Sequence, residues 1–284
     1  MESAMSDMAL ALFTTFSAIG AGAFLMLFVA FLVHDFSDDQ LKKLDKYTVV
    51  LVLFPVVGLI CSFMHLANAA NAMNVINTIG TTPLANEILV FGIFLAVAIL
   101  YWVLAIAGAL KGRTARLACS AIVAALGVLA VVFMGLAYAI PTIPTWDSPW
   151  TTLQLLGAML LGGSALTWWV CSLVEKDEGA AQKMASVSRL VLIVGAAVLL
   201  IATVALFATG ASATSGIVNV AQNASELTPM LVASIAFTVI AVVCGFLGKG
   251  DKRTAWLCGA VVIAWFAVFF ARLCFYGMQI TIGL

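Results

Sequence analysis

Eight long apolar runs follow one another along this chain and leave it little choice of fold. Crossing roughly 30 Å of hydrocarbon takes about 20 residues of helix at 1.5 Å rise each. Segments 8–33, 47–67, 86–110, 117–139, 150–174, 190–210, 229–247 and 254–276 each supply about that length with few charges. A soluble fold that hides them in one core fails on composition. The 284 residues are 64% hydrophobic and 9% charged, whereas soluble domains have about 25% charged residues. In hydrocarbon an isolated stretch can satisfy its N–H groups only with its own carbonyls, so each run is predicted to be a helix. The expected class is an all-α integral membrane protein with eight transmembrane helices.

The first run has the hydrophobicity of a secretory signal but not its layout. Acidic Glu2 and Asp7 precede it where a signal needs basic residues, and the run is too long for a signal's apolar stretch, so it reads as a retained helix. The cysteines at 61, 119, 171, 244, 258 and 274 all fall inside apolar runs, and none forms a CxxC pair. Cysteines so placed read as small buried side chains rather than a disulfide framework, a zinc site or an iron–sulfur cluster. The formal net charge is zero, which gives no reason to expect nucleic acid among the partners; lipid is the expected surround.

The positions of the basic residues predict orientation. Lys42, Lys43 and Lys46 follow the first run, Lys111, Arg113 and Arg116 the third, Lys176, Lys183 and Arg189 the fifth, and Lys249, Lys252 and Arg253 the seventh. These are twelve of thirteen; Arg272 lies inside the eighth run, and the intervening loops contain none. Basic loops remain cytoplasmic, so both termini are expected on the periplasmic side of a cytoplasmic (inner) membrane.

The outward loops have a different chemistry. Residues 68–85, 140–149 and 211–228 hold only Asp147 and Glu226 as charges and are rich in Asn, Thr, Pro and small side chains. A weakly charged, partly apolar face suits docking of a partner, although such loops can also serve only to cap helix ends. Trp146 and Trp150 fit an aromatic belt at the outer interface.

Ionisable groups inside spans are costly and usually functional, and here they gather toward the outer end. His65 lies 18 residues after Tyr47, roughly 27 Å along the helix. Arg272 lies 19 residues after Arg253, at a similar height. Glu87 falls in the first turns of the third span, after a Thr82-Pro83 pair that reads as N-cap and N1. Tyr276 is one turn beyond Arg272. Each has a plainer reading: Arg272 can snorkel to the interface or pair with Glu87, Glu87 can be an interfacial helix-start acid, Tyr276 a belt aromatic, and His65 a hydrogen-bonded packing residue. The other histidine, His34, lies at the opposite membrane face, so two histidines are not placed to clamp a haem. Cys61 and His65 share a helix face without a further set of metal ligands.

The ordered set Met64-His65-Leu66, Leu84 with Asn86-Glu87, Pro144-Thr145-Trp146, Leu160 to Gly163, Arg272 with Phe275-Tyr276-Gly277, and Thr281 with Gly283 resembles the membrane anchor subunit of anaerobic dimethyl sulfoxide reductase. The likeness extends over nearly the whole chain. It implies a complex with a molybdopterin catalytic subunit and a four-cluster iron–sulfur subunit on the periplasmic face, and an anchor that oxidises menaquinol. Kinship with a broader group of quinol-interacting anchors implies two four-helix bundles, residues 1–145 and 146–284, with the quinol site in the first. The family's quinol-site histidine corresponds to His65; Glu87 and Arg272 match the motif positions. One departure is that Leu136-Ala137-Tyr138 stands where relatives often carry Arg-x-Tyr.

On this reading neutral His65 accepts a proton from menaquinol, Glu87 relays it outward, Arg272 orients the carboxylate, and Tyr276 bonds the ring oxygen. Electrons pass directly to the partner, with no haem and no iron–sulfur cluster expected in this chain. Two other classes stay open: a purely structural membrane anchor, and a small-solute transporter, which usually places its charges near the bilayer midplane.

Overall fold

The computed structural model describes residues 7–64, 75, 77–213 and 220–280. Among them are eight long helices and no strand: α1 (Met8–Val33), α2 (Asp38–Met64), α3 (Pro83–Ile106), α4 (Gly112–Leu136), α5 (Pro149–Val174), α6 (Gln182–Ala211), α7 (Val220–Leu247) and α8 (Arg253–Gly277). All eight are long and apolar enough to cross a membrane.

Several helices outrun their apolar spans, because a backbone that is already helical keeps its hydrogen bonds on leaving lipid. The α2 helix begins at Asp38, where Ser37 and Gln40 close a reciprocal cap: Ser37 N donates to Gln40 Oε1 at 2.8 Å, and Gln40 N to Ser37 Oγ at 3.4 Å. Residues 220–228, expected as loop, form the first turns of α7. Conversely, α3 stops at Ile106 rather than 110 because Gly108 takes a φ of +69°, which turns the chain out of the helix.

Helices α1 to α4 pack in sequence around one circuit and α5 to α8 around another, each closing first helix on last. The circuits meet mainly through α1 and α5, whose most apolar stretches are 67% and 83% buried. Glycine permits that contact. A Cβ on Gly163 would lie 2.2 Å from the backbone of Gly22, and one on Gly22 would lie 1.8 Å from Met159 O. Two backbones can approach this closely only through small residues. Thr167 Oγ1 then donates to Ala23 O at 2.7 Å across the same seam.

The outward faces carry what a soluble protein would hide. Leu190, Val194, Ile201 and Val204 on α6, and Leu100, Val103 and Ile106 on α3, are exposed at helical spacing, as lipid-facing stripes require. Charge collects at the end where α1–α2, α3–α4, α5–α6 and α7–α8 connect. There Arg116 pairs with Asp45 at 2.6 and 2.9 Å, Arg113 with Asp35 at 2.6 Å, and Arg253 donates to Glu175 O.

Candidate functional site

The weakly charged opposite end gathers a second set of buried polar residues. Thr82 caps α3, accepting from Ala85 N at 3.3 Å, with Pro83 in the first position. Glu87 therefore stands in the second turn, and it is 4% exposed. Its Oε1 is buried without a hydrogen-bond partner among the described residues. Arg272 and Tyr138 lie near enough to interact with this carboxylate electrostatically.

Arg272 is fully buried, which excludes snorkelling to the interface. A buried guanidinium is tolerated only when its donors are satisfied. Nε donates to Thr14 Oγ1 of α1 at 3.0 Å, Nη1 to Gln154 Oε1 of α5 at 2.8 Å, and Nη2 to the Tyr276 hydroxyl at 3.3 Å. Gln154 passes the connection on, its Nε2 donating to Thr203 Oγ1 of α6 at 3.0 Å and to Ala271 O at 3.3 Å. The cation also lies 4.1 Å from the Phe275 ring centre, with Tyr276 and Tyr138 at 5.0 and 5.3 Å, so aromatic faces share in its stabilisation. One side chain on α8 thus ties α1 and α5 together, and through Gln154 the link extends to α6.

Tyr276 is fully buried and is not a belt residue. Its hydroxyl is hydrogen-bonded to that of Tyr138, which follows α4. Trp146, expected in the outer belt, is also buried. Its Nε1 donates to Phe275 O at 3.0 Å, and its ring stacks on Phe275 with centres 5.2 Å apart. Thr145 Oγ1 donates to Met278 O at 2.6 Å, and Asn223 Nδ2 to Gly277 O at 3.0 Å. The Pro-Thr-Trp segment and the start of α7 therefore donate to carbonyls at and just beyond the end of α8, where a helix lacks N–H partners of its own.

The structure brings Glu87, Arg272 and Tyr276 into one region. His65 follows the last residue of α2 and lies outside the described residues, as do Thr281 and Gly283. Gln154, Thr14 and the part played by Tyr138 were not expected from the sequence. The legible signal was Gln154, an amide inside an apolar run, about as far from the start of its span as Arg272 is from the end of its own.

Comparison with known proteins adds to this geometry. The family model described as "DMSO reductase anchor subunit (DmsC)" matches residues 1–278. The C subunit of anaerobic dimethyl sulfoxide reductase from Haemophilus influenzae is 26% identical over 288 residues, covering 100% of this chain and 99% of its own length. The protein of the same description from Escherichia coli is 31% identical over 70% of this chain and 69% of its own length. The YnfH subunit of anaerobic dimethyl sulfoxide reductase, also of Escherichia coli, is 28% identical over 87% and 86%. A solved protein titled "The structure of bd oxidase from Geobacillus thermodenitrificans" superposes with a TM-score of 0.56 over 95% of this chain and 83% of that one. At 14% identity that likeness concerns the fold alone.

Proposed function

The chain belongs to the DMSO reductase anchor subunit family, and we propose on that footing that it oxidises menaquinol near its weakly charged, periplasmic end. Electrons pass to an iron–sulfur partner subunit, which feeds a molybdopterin catalytic subunit docked on the same face of the inner membrane. The observation that carries this reading is the state of Glu87, a buried carboxylate with an unpartnered oxygen beside a fixed arginine. Buried polar atoms are almost always bonded, so a lone acceptor of this kind suits a hydroxyl that arrives with a substrate. Menaquinol offers two such hydroxyls.

His65 takes one proton and Glu87 accepts and relays the other toward water. Arg272 acts as a positioning residue. Three of its donors are bonded to Thr14, Gln154 and Tyr276, so its positive charge stays in place in the region of the Glu87 carboxyl group. The Tyr276 hydroxyl is already bonded to Arg272 and Tyr138 and lies 3.4 Å from Leu10 O, so of the pair it is the Tyr138 hydroxyl that keeps a position for a ring oxygen. Protons and electrons leave toward one face, and the reaction moves no net charge across the membrane.

Substituting His65→Ala or Glu87→Gln should abolish menaquinol-driven turnover of the complex while the partners stay membrane-bound and still reduce acceptor with electrons from an artificial dye. Normal quinol-driven activity in both variants would leave the chain a structural anchor. The subunit itself is proposed to contain neither haem nor iron–sulfur cluster, since His34 lies at the basic end and the cysteines are dispersed. Its absorption spectrum should therefore lack a Soret band before and after dithionite; a stoichiometric haem would remove direct transfer to the partner.

A further inference from the structure

The α4–α5 connection, residues 137–148, is at once part of the wall around Arg272 and Tyr276 and part of the outer surface. Its side chains divide between the two. Tyr138, Ile143, Thr145 and Trp146 are at most 8% exposed, whereas Ala139, Pro141, Thr142, Pro144 and Asp147 are exposed. The inner set belongs to the polar cluster. The Tyr138 hydroxyl meets that of Tyr276, the Tyr138 and Trp146 rings lie 5.6 Å apart, and Trp146 Nε1 and Thr145 Oγ1 donate to Phe275 O and Met278 O. One thickness of chain therefore separates the buried arginine and tyrosines from whatever rests on this connection.

The outer set is held in shape before anything binds. Pro141 and Pro144 fix their own φ angles. Ile143 N donates to Ile140 O at 2.8 Å, Trp146 N to Ile143 O at 2.9 Å, and Ser148 N to Trp146 O at 2.8 Å. With the inner side chains also bonded to the end of α8, little chain entropy is left to lose on association, which lowers the cost of docking. The exposed face is nearly free of charge, as the centre of a protein interface is. Asp147 is its one charge, exposed and without an ion pair among the described residues, and it calls for a basic group opposite.

Electron transfer restricts where the partner can sit. Its rate falls steeply with distance, and a chain without a redox centre of its own has nothing to relay electrons sideways, so the acceptor has to lie close above the quinol. The α4–α5 connection is outer surface that the polar cluster itself touches. We infer that the iron–sulfur partner subunit docks on this connection, with Thr142 inside the contact and a basic side chain of the partner against Asp147. The inference rests on the proposed function and commits it to one of the three outer connections.

The test uses the assembled complex in membranes and the full chain in nanodiscs. On irradiation of the complex, Thr142→p-benzoylphenylalanine should form an adduct with the iron–sulfur subunit. No adduct, or one with the catalytic subunit alone, overturns the docking face. In nanodiscs, Asp147→Arg should bind the purified partner pair about tenfold more weakly than the parent, because like charges across an interface are costly. Asp251→Arg makes the same change of charge at the basic end and should bind as the parent does. Parent-like binding by Asp147→Arg, or equal loss in both variants, overturns the pairing at Asp147. Circular dichroism checks folding; if Asp147→Arg does not fold, Thr142→Arg decides by the same criterion. The outcome is separable from that of the quinol site. Normal quinol-driven turnover in His65→Ala and Glu87→Gln together with a Thr142 adduct leaves a structural anchor docked as inferred, whereas lost turnover without an adduct keeps the quinol site and overturns the docking face.

Discussion

Arg272 occupies a position where no charge is expected to survive without help, fully buried between helices in a lipid-embedded protein. Its stability rests on neutral oxygens and aromatic faces around it, and Gln154 is the hinge of that arrangement, accepting from Arg272 and donating to Thr203. Substituting Gln154→Leu keeps the bulk but leaves Nη1 and the threonine without this partner. Unsatisfied groups of this kind cost roughly 1–3 kcal/mol, more when charged. We expect a lowered midpoint of thermal unfolding in detergent and, if Arg272 positions Glu87, a fall in menaquinol-driven turnover beyond what instability explains. A variant as stable and active as the parent would show that the network holds nothing in place.

Among the elements, α1 and α5 carry the fold because both are lined with residues too small to keep them apart. The consequence is sharply local. Gly163→Ala would drive a methyl group to within 2.2 Å of the Gly22 backbone, whereas Gly92→Ala on α3 meets nothing within 4 Å. Overpacking costs typically 1–3 kcal/mol, more when backbone must shift, while an alanine for glycine in an open helix is favourable by roughly 1 kcal/mol. Thermal melts of the two variants should therefore move in opposite directions. A Gly163→Ala variant that melts with the parent would mean that the two helices do not touch at these glycines. At the far ends of the helices the same accounting explains Trp146 and Thr145, whose value lies in serving the last carbonyls of α8.

For the molecule as a whole, twelve basic residues sit in or next to the four connections of one end and none in the other loops. If the positive-inside rule governs insertion, cysteines placed at Asn77 and Ser212 should react with a membrane-impermeant thiol reagent in intact cells and one at Lys252 should not. The reverse pattern would invert the proposed orientation and move the quinol site to the cytoplasmic side. The number of helices, their order and this segregation of charge were legible in the sequence because hydrocarbon imposes length and hydrogen bonding on each span separately. The N-cap at Thr82 was legible too, since a cap is local. Helix ends were read less well: hydropathy marks where lipid begins, whereas the helix stops where a glycine or a cap stops it, as at Gly108 and Ser37. That Arg272 bonds to Thr14 and Gln154, 258 and 118 positions away in the chain, and that Trp146 turns inward rather than toward lipid, depended on which faces of eight similar helices meet. Nearly every face of those helices is apolar, so periodicity carried little of that choice, and only the close packing of small residues in three dimensions decided it.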